Sequence, residues 1–139
     1  MTELALQRLT IIGDGATGTL FGAVTAGNGH LSTLWGRRAE HIAALCRERE
    51  NKLYLPGFPI PQQMQLTADD SAAFIGCQII LCAVPTQFIR AILKRLARHI
   101  PAGIPVTSPN NPEKLHRQTV KDCSASPEVQ TRNHPEICP

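Results

Sequence analysis

No apolar run in this sequence approaches the roughly 18 residues that a membrane-spanning helix needs, so no span is expected. The stretch from Met1 to Thr10 shows neither the cationic start nor the cleavage site of a secretory signal. The protein therefore reads as cytoplasmic. Charge of either sign is in small excess only. Fourteen Lys and Arg against eleven Asp and Glu leave a net +3 with no clustered patch, too little to point to nucleic acid. Cysteine pairing is missing as well. The five cysteines are odd in number and none shows CxxC spacing. Cys77 and Cys82 flank or lie within an apolar run, where a free thiol behaves as a small hydrophobe. That pattern suits a reduced compartment with no disulfide framework. The five histidines are scattered, none at ligand spacing from a cysteine, so no metal site is expected. There is no internal repeat.

What is present suits one ordinary domain. Of 139 residues, 42% are apolar and 18% charged, enough to bury a core. Leu9 to Ile12 is a short β-branched run ending at Gly13, and Gly13-Asp14-Gly15-Ala16-Thr17-Gly18 fits GxGxxG. Thr19 to Ala26 is small and apolar, with Gly22, Ala23 and Ala26 able to let a helix lie close on a sheet. Gly27-Asn28-Gly29 supplies a helix stop, and His30 to Trp35 returns to strand composition. Strand, glycine turn, helix and strand make a βαβ unit. Ala39 to Arg49 reads as a helix with Ile42, Leu45 and Cys46 inward, and Asn51 to Pro61 as a loop. Met64 to Ala68 is expected as a short strand. Asp69, Asp70 or Ser71 is expected to cap a short helix reaching about Gly76. The nearly all-apolar Gln78 to Val84 fits a strand covered on both faces. After Pro85, the residues Phe88, Ile89, Ile92, Leu93, Leu96 and Ile100 mark an amphipathic helix, with Arg90, Lys94, Arg95 and Arg98 on the opposite face. Ile104 to Thr107 is a last candidate strand. The fold class is therefore α/β, a Rossmann-type parallel sheet with helices on both faces. From Ser108 onward the chain is proline-rich and loses its apolar period, and residues 108–139 are expected to form an irregular tail rather than a second domain.

The glycine turn carries the chemistry. Gly13 permits a tight turn, Gly15 lets the backbone approach a pyrophosphate, and Gly18 lets the helix pack on the strand. The pyrophosphate then meets free N–H groups at a positive helix end. The end of the second strand distinguishes cofactors, because an acid there would hold the ribose 2′-hydroxyl of NAD. This chain has Arg37 and Arg38 instead, and two guanidinium groups suit a 2′-phosphate. NADP(H) is favoured over NAD(H). Ala83, Val84 and Pro85 end the buried strand at the carboxyl edge, where backbone contact with the cofactor is expected.

The glycine turn, Thr33-Leu34-Trp35-Gly36-Arg37-Arg38, Arg47-Glu48-Arg49-Glu50-Asn51, Tyr54-Leu55-Pro56-Gly57 and Ala83-Val84-Pro85-Thr86-Gln87 occur in that order. Over residues 8 to 107 the series resembles the N-terminal domain of bacterial NAD(P)-dependent glycerol-3-phosphate dehydrogenase. The resemblance implies reversible reduction of dihydroxyacetone phosphate to sn-glycerol 3-phosphate, feeding phospholipid synthesis. It also implies that Arg37, Arg38 and Tyr54 help to bind cofactor, alongside Gly13, Gly15, Ala16, Thr17, Gly18, Val84 and Pro85. In the family, serine and an aromatic commonly stand where this chain has Ala16 and Thr17. The family's Lys-Gly pair after the fifth strand is replaced by Pro109-Asn110-Asn111-Pro112, and a neutral amide cannot stand in for a cation facing phosphate. Lys114 lies nearby in sequence. No helical domain bearing a proton-transferring lysine follows, so no catalytic residue is assigned.

The abrupt change at Ser108 suggests a truncated or frame-shifted product. Two functions stay open. One is the cofactor half of an oxidoreductase, binding dinucleotide weakly and turning over little by itself. The other is a non-catalytic dinucleotide-binding module. A dehydrogenase of hydroxy acids or sugar nucleotides is disfavoured by the Trp35–Arg38 block and the Tyr54 loop. A half-sheet without its second domain leaves apolar surface uncovered, so self-association is expected.

Overall fold

The computed structural model describes residues 6–108. Strand β1 (Arg8–Ile12) leads into α1 (Ala16–Gly27), β2 (Leu31–Trp35) and α2 (Ala39–Glu48). Then come β3 (Glu50–Asn51), β4 (Leu55–Pro59), β5 (Gln65–Thr67), β6 (Ile79–Cys82), α3 (Thr86–Leu96) and β7 (Val106–Thr107). Five strands form one sheet in the order β5-β2-β1-β6-β7, and every neighbouring pair is parallel. The chain starts in the middle and winds outward both ways. This is the Rossmann order, and it puts a topological switch point between β1 and β6.

Side-chain alternation along the central strands explains the two layers of cover. Ile11, Leu34 and Leu66 join Ile42 and Leu45 of α2, Ala26 of α1 and Met64 in one core. Ile12, Trp35, Ile80 and Cys82 face the other way, onto Phe74 and onto Ile89, Leu93 and Leu96 of α3. Each fully buried Leu or Ile contributes roughly 1.5–3 kcal/mol before conformational entropy is counted. Trp35 is 1% exposed, and its indole N–H donates to Asp70 Oδ1 at 3.2 Å. Arg95 forks onto the same carboxylate at 2.9 and 3.1 Å and lies over the indole ring. The tryptophan of the Trp35–Arg38 block is thus a core tie.

Several local expectations need correction. The segment expected as a loop from Asn51 to Pro61 holds an antiparallel pair, β3 with β4, in the register Glu50 to Pro59 and Asn51 to Leu55. Pro56 and Pro59 are tolerated because a two-stranded ribbon leaves edge positions that need no ladder donor. Helix α2 stops at Glu48 because Arg49 turns left-handed, at φ 51°. The helix expected up to Gly76 is a single 3-10 turn, Ala72–Phe74. Ile75 is extended and Gly76 has φ 67°, which ends any helix there. Phe88, placed by period on the buried face of α3, is 48% exposed, and Arg95 of the outer face is ion-paired. Cys77 and Cys82 are free and buried, whereas Cys46 is disulfide-bonded, against the expectation of free thiols throughout. The tail expected from Ser108 lies outside the described residues except for Ser108 itself, which is buried. No described helix is long and apolar enough to cross a membrane.

Of the three candidate caps, Asp69 is the one used. Its Oδ1 accepts from the amides of Ser71 and Ala72, each at 2.9 Å, and from the Ser71 hydroxyl. Burial pushes the Asp69 carboxyl up, but the Ser71 hydroxyl, the two amides and His99 together outweigh it and bring the pKa below its ordinary value of 3.8. A lowered folded-state pKa stabilises the fold above the unfolded value, and that contribution is lost as pH falls through the folded one. Asp69→Ala should therefore lower stability by about 1 kcal/mol at neutral pH. In urea titrations the gap to the unmodified protein should close on acidification below about pH 4. A gap that persists in acid would contradict this account of the cap.

Candidate functional site

The parallel register brings three strand ends together. Ile12 pairs with Trp35 on one side and Cys82 on the other, so Gly13, Gly36 and Ala83 emerge side by side at the carboxyl edge. The Gly13 N–H donates to the Trp35 carbonyl at 2.9 Å, and the Ala83 N–H to the Ile12 carbonyl at 2.8 Å. Gly13 sits at φ 120°, a region L side chains rarely enter. A Cβ there would also press on the Ala83 carbonyl at 3.0 Å. Gly18 is required by close approach instead. A Cβ on it would overlap the Gly13 carbonyl oxygen and lie 3.0 Å from its carbon.

Gly15 is different. It is the N-cap of α1, and a Cβ on it would meet nothing within 4 Å. No side chain caps the helix and its first turn carries no acid. The leading amides, from Ala16 onward, therefore point at open space with the positive end of the helix dipole behind them. Ala16 is half-buried and Thr17 exposed. The turn as a whole can accept an anion.

Arg37 and Arg38 follow β2 at the same edge, both exposed. Arg38 Nη2 donates to the Tyr54 hydroxyl at 3.0 Å. Tyr54, 44% exposed on the hairpin, also meets the His41 ring edge-on, with centroids 5.5 Å apart. The structure thus joins two residues that sequence reading related only through the family resemblance. Val84 is buried and packs at the glycine turn, so only its backbone can face a ligand. Pro85 is exposed and caps α3 one residue before its first turn.

Three neighbouring residues escaped the sequence reading. Asn51 is fully buried between the turn and the hairpin, with hydrogen bonds to both. The His41 Nε2 lies 3.4 Å from the Asp14 carbonyl and 3.8 Å from its carboxylate. Asp14 Oδ2 is buried without a hydrogen-bond partner. It fits because Gly36 leaves the room, where a Cβ would come within 2.7 Å of that oxygen. A polar residue in a short hairpin, or between two glycines, carries no periodicity to read.

A hollow of about 390 Å³ lies elsewhere. It is lined by Arg8, Thr10, Leu31, Thr33, Gln65 and Ile75, at the amino ends of the strands. Open α/β sheets bind ligands at the opposite, carboxyl edge, which makes the glycine turn the candidate site. Among the described residues no cluster of His, Cys, Asp and Glu can hold a metal ion. The Cys82 thiol lies in the core below the turn, where burial pushes its pKa up to about 11, opposed by a hydrogen bond with the Val84 backbone. It should stay unmodified by a thiol reagent at pH near 8 until denaturant is added, because thiolate is the reactive form. Rapid labelling of Cys82 in the native protein would contradict its burial.

Residues 8–110 match the family described as NAD-dependent glycerol-3-phosphate dehydrogenase N-terminus. The glycerol-3-phosphate dehydrogenase [NAD(P)+] of Halorhodospira halophila is 40% identical over 96 residues, which are 69% of this chain and 29% of that protein. The enzyme of the same name from Bacillus velezensis is 41% identical over 96 residues, 69% of this chain and 28% of its own length. A crystal structure of glycerol-3-phosphate dehydrogenase from Coxiella burnetii superposes with a TM-score of 0.74 at 24% identity, covering 87% of this chain and 38% of that one. That likeness concerns the fold. The chain spans less than a third of the length of these two curated relatives. Glycine turn, strand order and sequence agree, and the chain belongs to the family of NAD-dependent glycerol-3-phosphate dehydrogenase N-terminal domains.

Proposed function

We propose that this chain binds a nicotinamide dinucleotide at the carboxyl edge of its sheet, with NADP(H) favoured over NAD(H). One observation carries the reading: the uncapped first turn of α1 opens onto free space at the switch point of a parallel sheet. Gly13, Gly15, Ala16, Thr17 and Gly18 would hold the diphosphate through backbone N–H groups. Arg37 and Arg38 would neutralise a 2′-phosphate, with Tyr54 steadying the Arg38 fork. The Val84 and Pro85 backbone would border the nicotinamide side. When bound, the nicotinamide supplies or accepts the hydride; the chain's own part is to bind and orient it and to shield one face with the sheet edge.

The reaction that follows from the relatives' name is interconversion of dihydroxyacetone phosphate and glycerol 3-phosphate. No described residue is assigned to proton transfer, and residues 1–107 are taken as the cofactor unit, with 108–139 as a tail. A binding module without turnover is the second reading, since no described residue is assigned to proton transfer. Tight NADPH binding with no reduction of dihydroxyacetone phosphate would select it. A cytoplasmic location goes with both readings; the free thiols of Cys77 and Cys82 suit a reducing compartment and the Cys46 disulfide does not. Self-association is also part of the proposal. Helix α1 has no charged residue, and Leu20, Phe21 and Val24 are 40%, 37% and 50% exposed on it. Sedimentation that stays monomeric over a wide concentration range would contradict that part.

The cofactor preference is tested by calorimetry. Replacing both Arg37 and Arg38 with Ala should weaken NADPH by about 30-fold or more, since charge-assisted hydrogen bonds contribute about 1.5–3 kcal/mol each. NADH should be nearly unaffected. Equal losses for the two dinucleotides would overturn the 2′-phosphate assignment.

A further inference from the structure

We infer that Asn51 is a positioning residue that fixes the spacing between the two halves of the dinucleotide grip. The inference rests on the binding reading above. The grip has two parts built on different elements. The glycine turn belongs to the β1–α1 junction. The Arg38–Tyr54 pair belongs to the α2 start and the hairpin, which is not part of the main sheet. The β1–β2 ladder sets the start of α2 beside the turn, but nothing in that ladder sets where the hairpin carries Tyr54.

One side-chain amide does. Asn51 is 0% exposed. Its Nδ2 donates to the Asp14 carbonyl and to Thr19 Oγ1, each at 2.9 Å. Its Oδ1 accepts the Tyr54 N–H at 3.2 Å. The Asp14 carbonyl can only accept and the Tyr54 N–H can only donate, so the amide orientation is forced. Thr19 Oγ1 in turn donates to the Gly15 carbonyl at 2.8 Å, which extends the same link into the first turn of α1. A single planar group therefore clamps the turn, the helix start and the backbone of Tyr54.

The residue type follows from this. Asp would lose both donors and set a carboxylate against a carbonyl. Ser is too short to reach both sides, and Gln is one methylene too long. His41 offers a second, looser route, with its ring near the Asp14 carbonyl at 3.4 Å and edge-on to Tyr54. A dinucleotide holds its diphosphate and its adenosine ribose at a near-fixed separation. A receptor that is spaced before binding avoids the ordering loss on binding. Asn51 touches neither group; it acts through Asp14 and Tyr54.

Calorimetry with NADPH and with ADP, which has a diphosphate but no 2′-phosphate, tests the assignment. Asn51→Ala should weaken NADPH about tenfold, the size of one or two buried hydrogen bonds, and ADP by less than about threefold. Tyr54→Phe, which removes the Arg38 contact, should weaken NADPH about fivefold in the unmodified protein but hardly at all in the Asn51→Ala background, since coupled sites are non-additive. A merely structural role would weaken both ligands alike and leave the two substitutions multiplicative; either result overturns the inference. Should Asn51→Ala fail to fold, hydrogen exchange on the unmodified protein decides. ADP should slow exchange of the Tyr54 amide about tenfold, and an unchanged rate overturns the inference. If the unmodified protein binds neither NADPH nor ADP, the binding reading itself falls and the inference with it. If it binds both and only the Asn51 behaviour is absent, the inference alone falls.

Discussion

Gly18→Ala is expected to unfold the domain, or to leave it folded only at low temperature. The added Cβ would sit on the Gly13 carbonyl oxygen and 3.0 Å from its carbon, and both atoms belong to backbone that the sheet holds rigid. Overpacking of flexible side chains costs about 1–3 kcal/mol. Here no side chain can swing aside, so the loss should be about 3 kcal/mol or more, against a total stability of roughly 5–15 kcal/mol for a domain. Relief would require α1 to move off β1, and Ala23 and Ala26 of that helix are buried against the sheet. Urea unfolding followed by circular dichroism reads the effect. A melting curve indistinguishable from that of the unmodified protein would show that the helix is not seated as described.

Gly15→Ala is expected to do the opposite: keep the fold and lose the ligand. Gly15 has φ −82°, which alanine adopts without strain, and its Cβ meets no protein atom within 4 Å. The new methyl projects from the N-cap of α1 into the space from which a diphosphate must approach the amides. The melting curve should hardly change, while NADPH affinity should fall about tenfold or more, equivalent to at least about 1.4 kcal/mol. The pair of variants separates two uses of glycine in one six-residue motif. Unchanged NADPH affinity in Gly15→Ala would mean that the ligand does not approach through the turn.

Much of the scaffold was legible because its signals are periodic or stereochemical. β1, α1 and β2 could be drawn around the glycine turn, and β6 stood out as an apolar run with α3 behind it. Burial on both faces makes such strands conspicuous, and the alternation of Ile11 and Ile12 or Leu34 and Trp35 between cores shows why. The hairpin was not legible. Its strands are two and five residues long, pair with a shift of register between Glu50 and Asn51, and contain Pro56 and Pro59. The Arg49 turn that launches it uses a left-handed backbone at a residue with no local preference for one. Tertiary bonds from Arg49 Nη1 to the Met64 carbonyl at 2.9 Å help to hold it there, and those are invisible in sequence.

The site divides the same way. The glycine turn and the two arginines were named as candidates from residue type and order. Tyr54 came only from likeness to a family, because a lone tyrosine in a loop has no physical signature of its own. The contacts that bring these residues together are long-range: Arg38 to Tyr54, Asn51 to Asp14, His41 to Tyr54. They depend on the hairpin folding back over the turn. Trp35 shows the converse. It stood out in the block that suggested the family, yet its indole is spent on Asp70 and on the core rather than on the cofactor edge.

The central claim is that the uncapped start of α1 holds a diphosphate. A crystal structure of the protein with NADPH tests it most directly. Diphosphate oxygens within hydrogen-bonding distance of the leading α1 amides, with the adenosine ribose toward Arg38 and Tyr54, are the predicted result. Dinucleotide lodged in the amino-edge hollow beside Arg8 and Gln65, or no dinucleotide at the turn under saturating conditions, would contradict it.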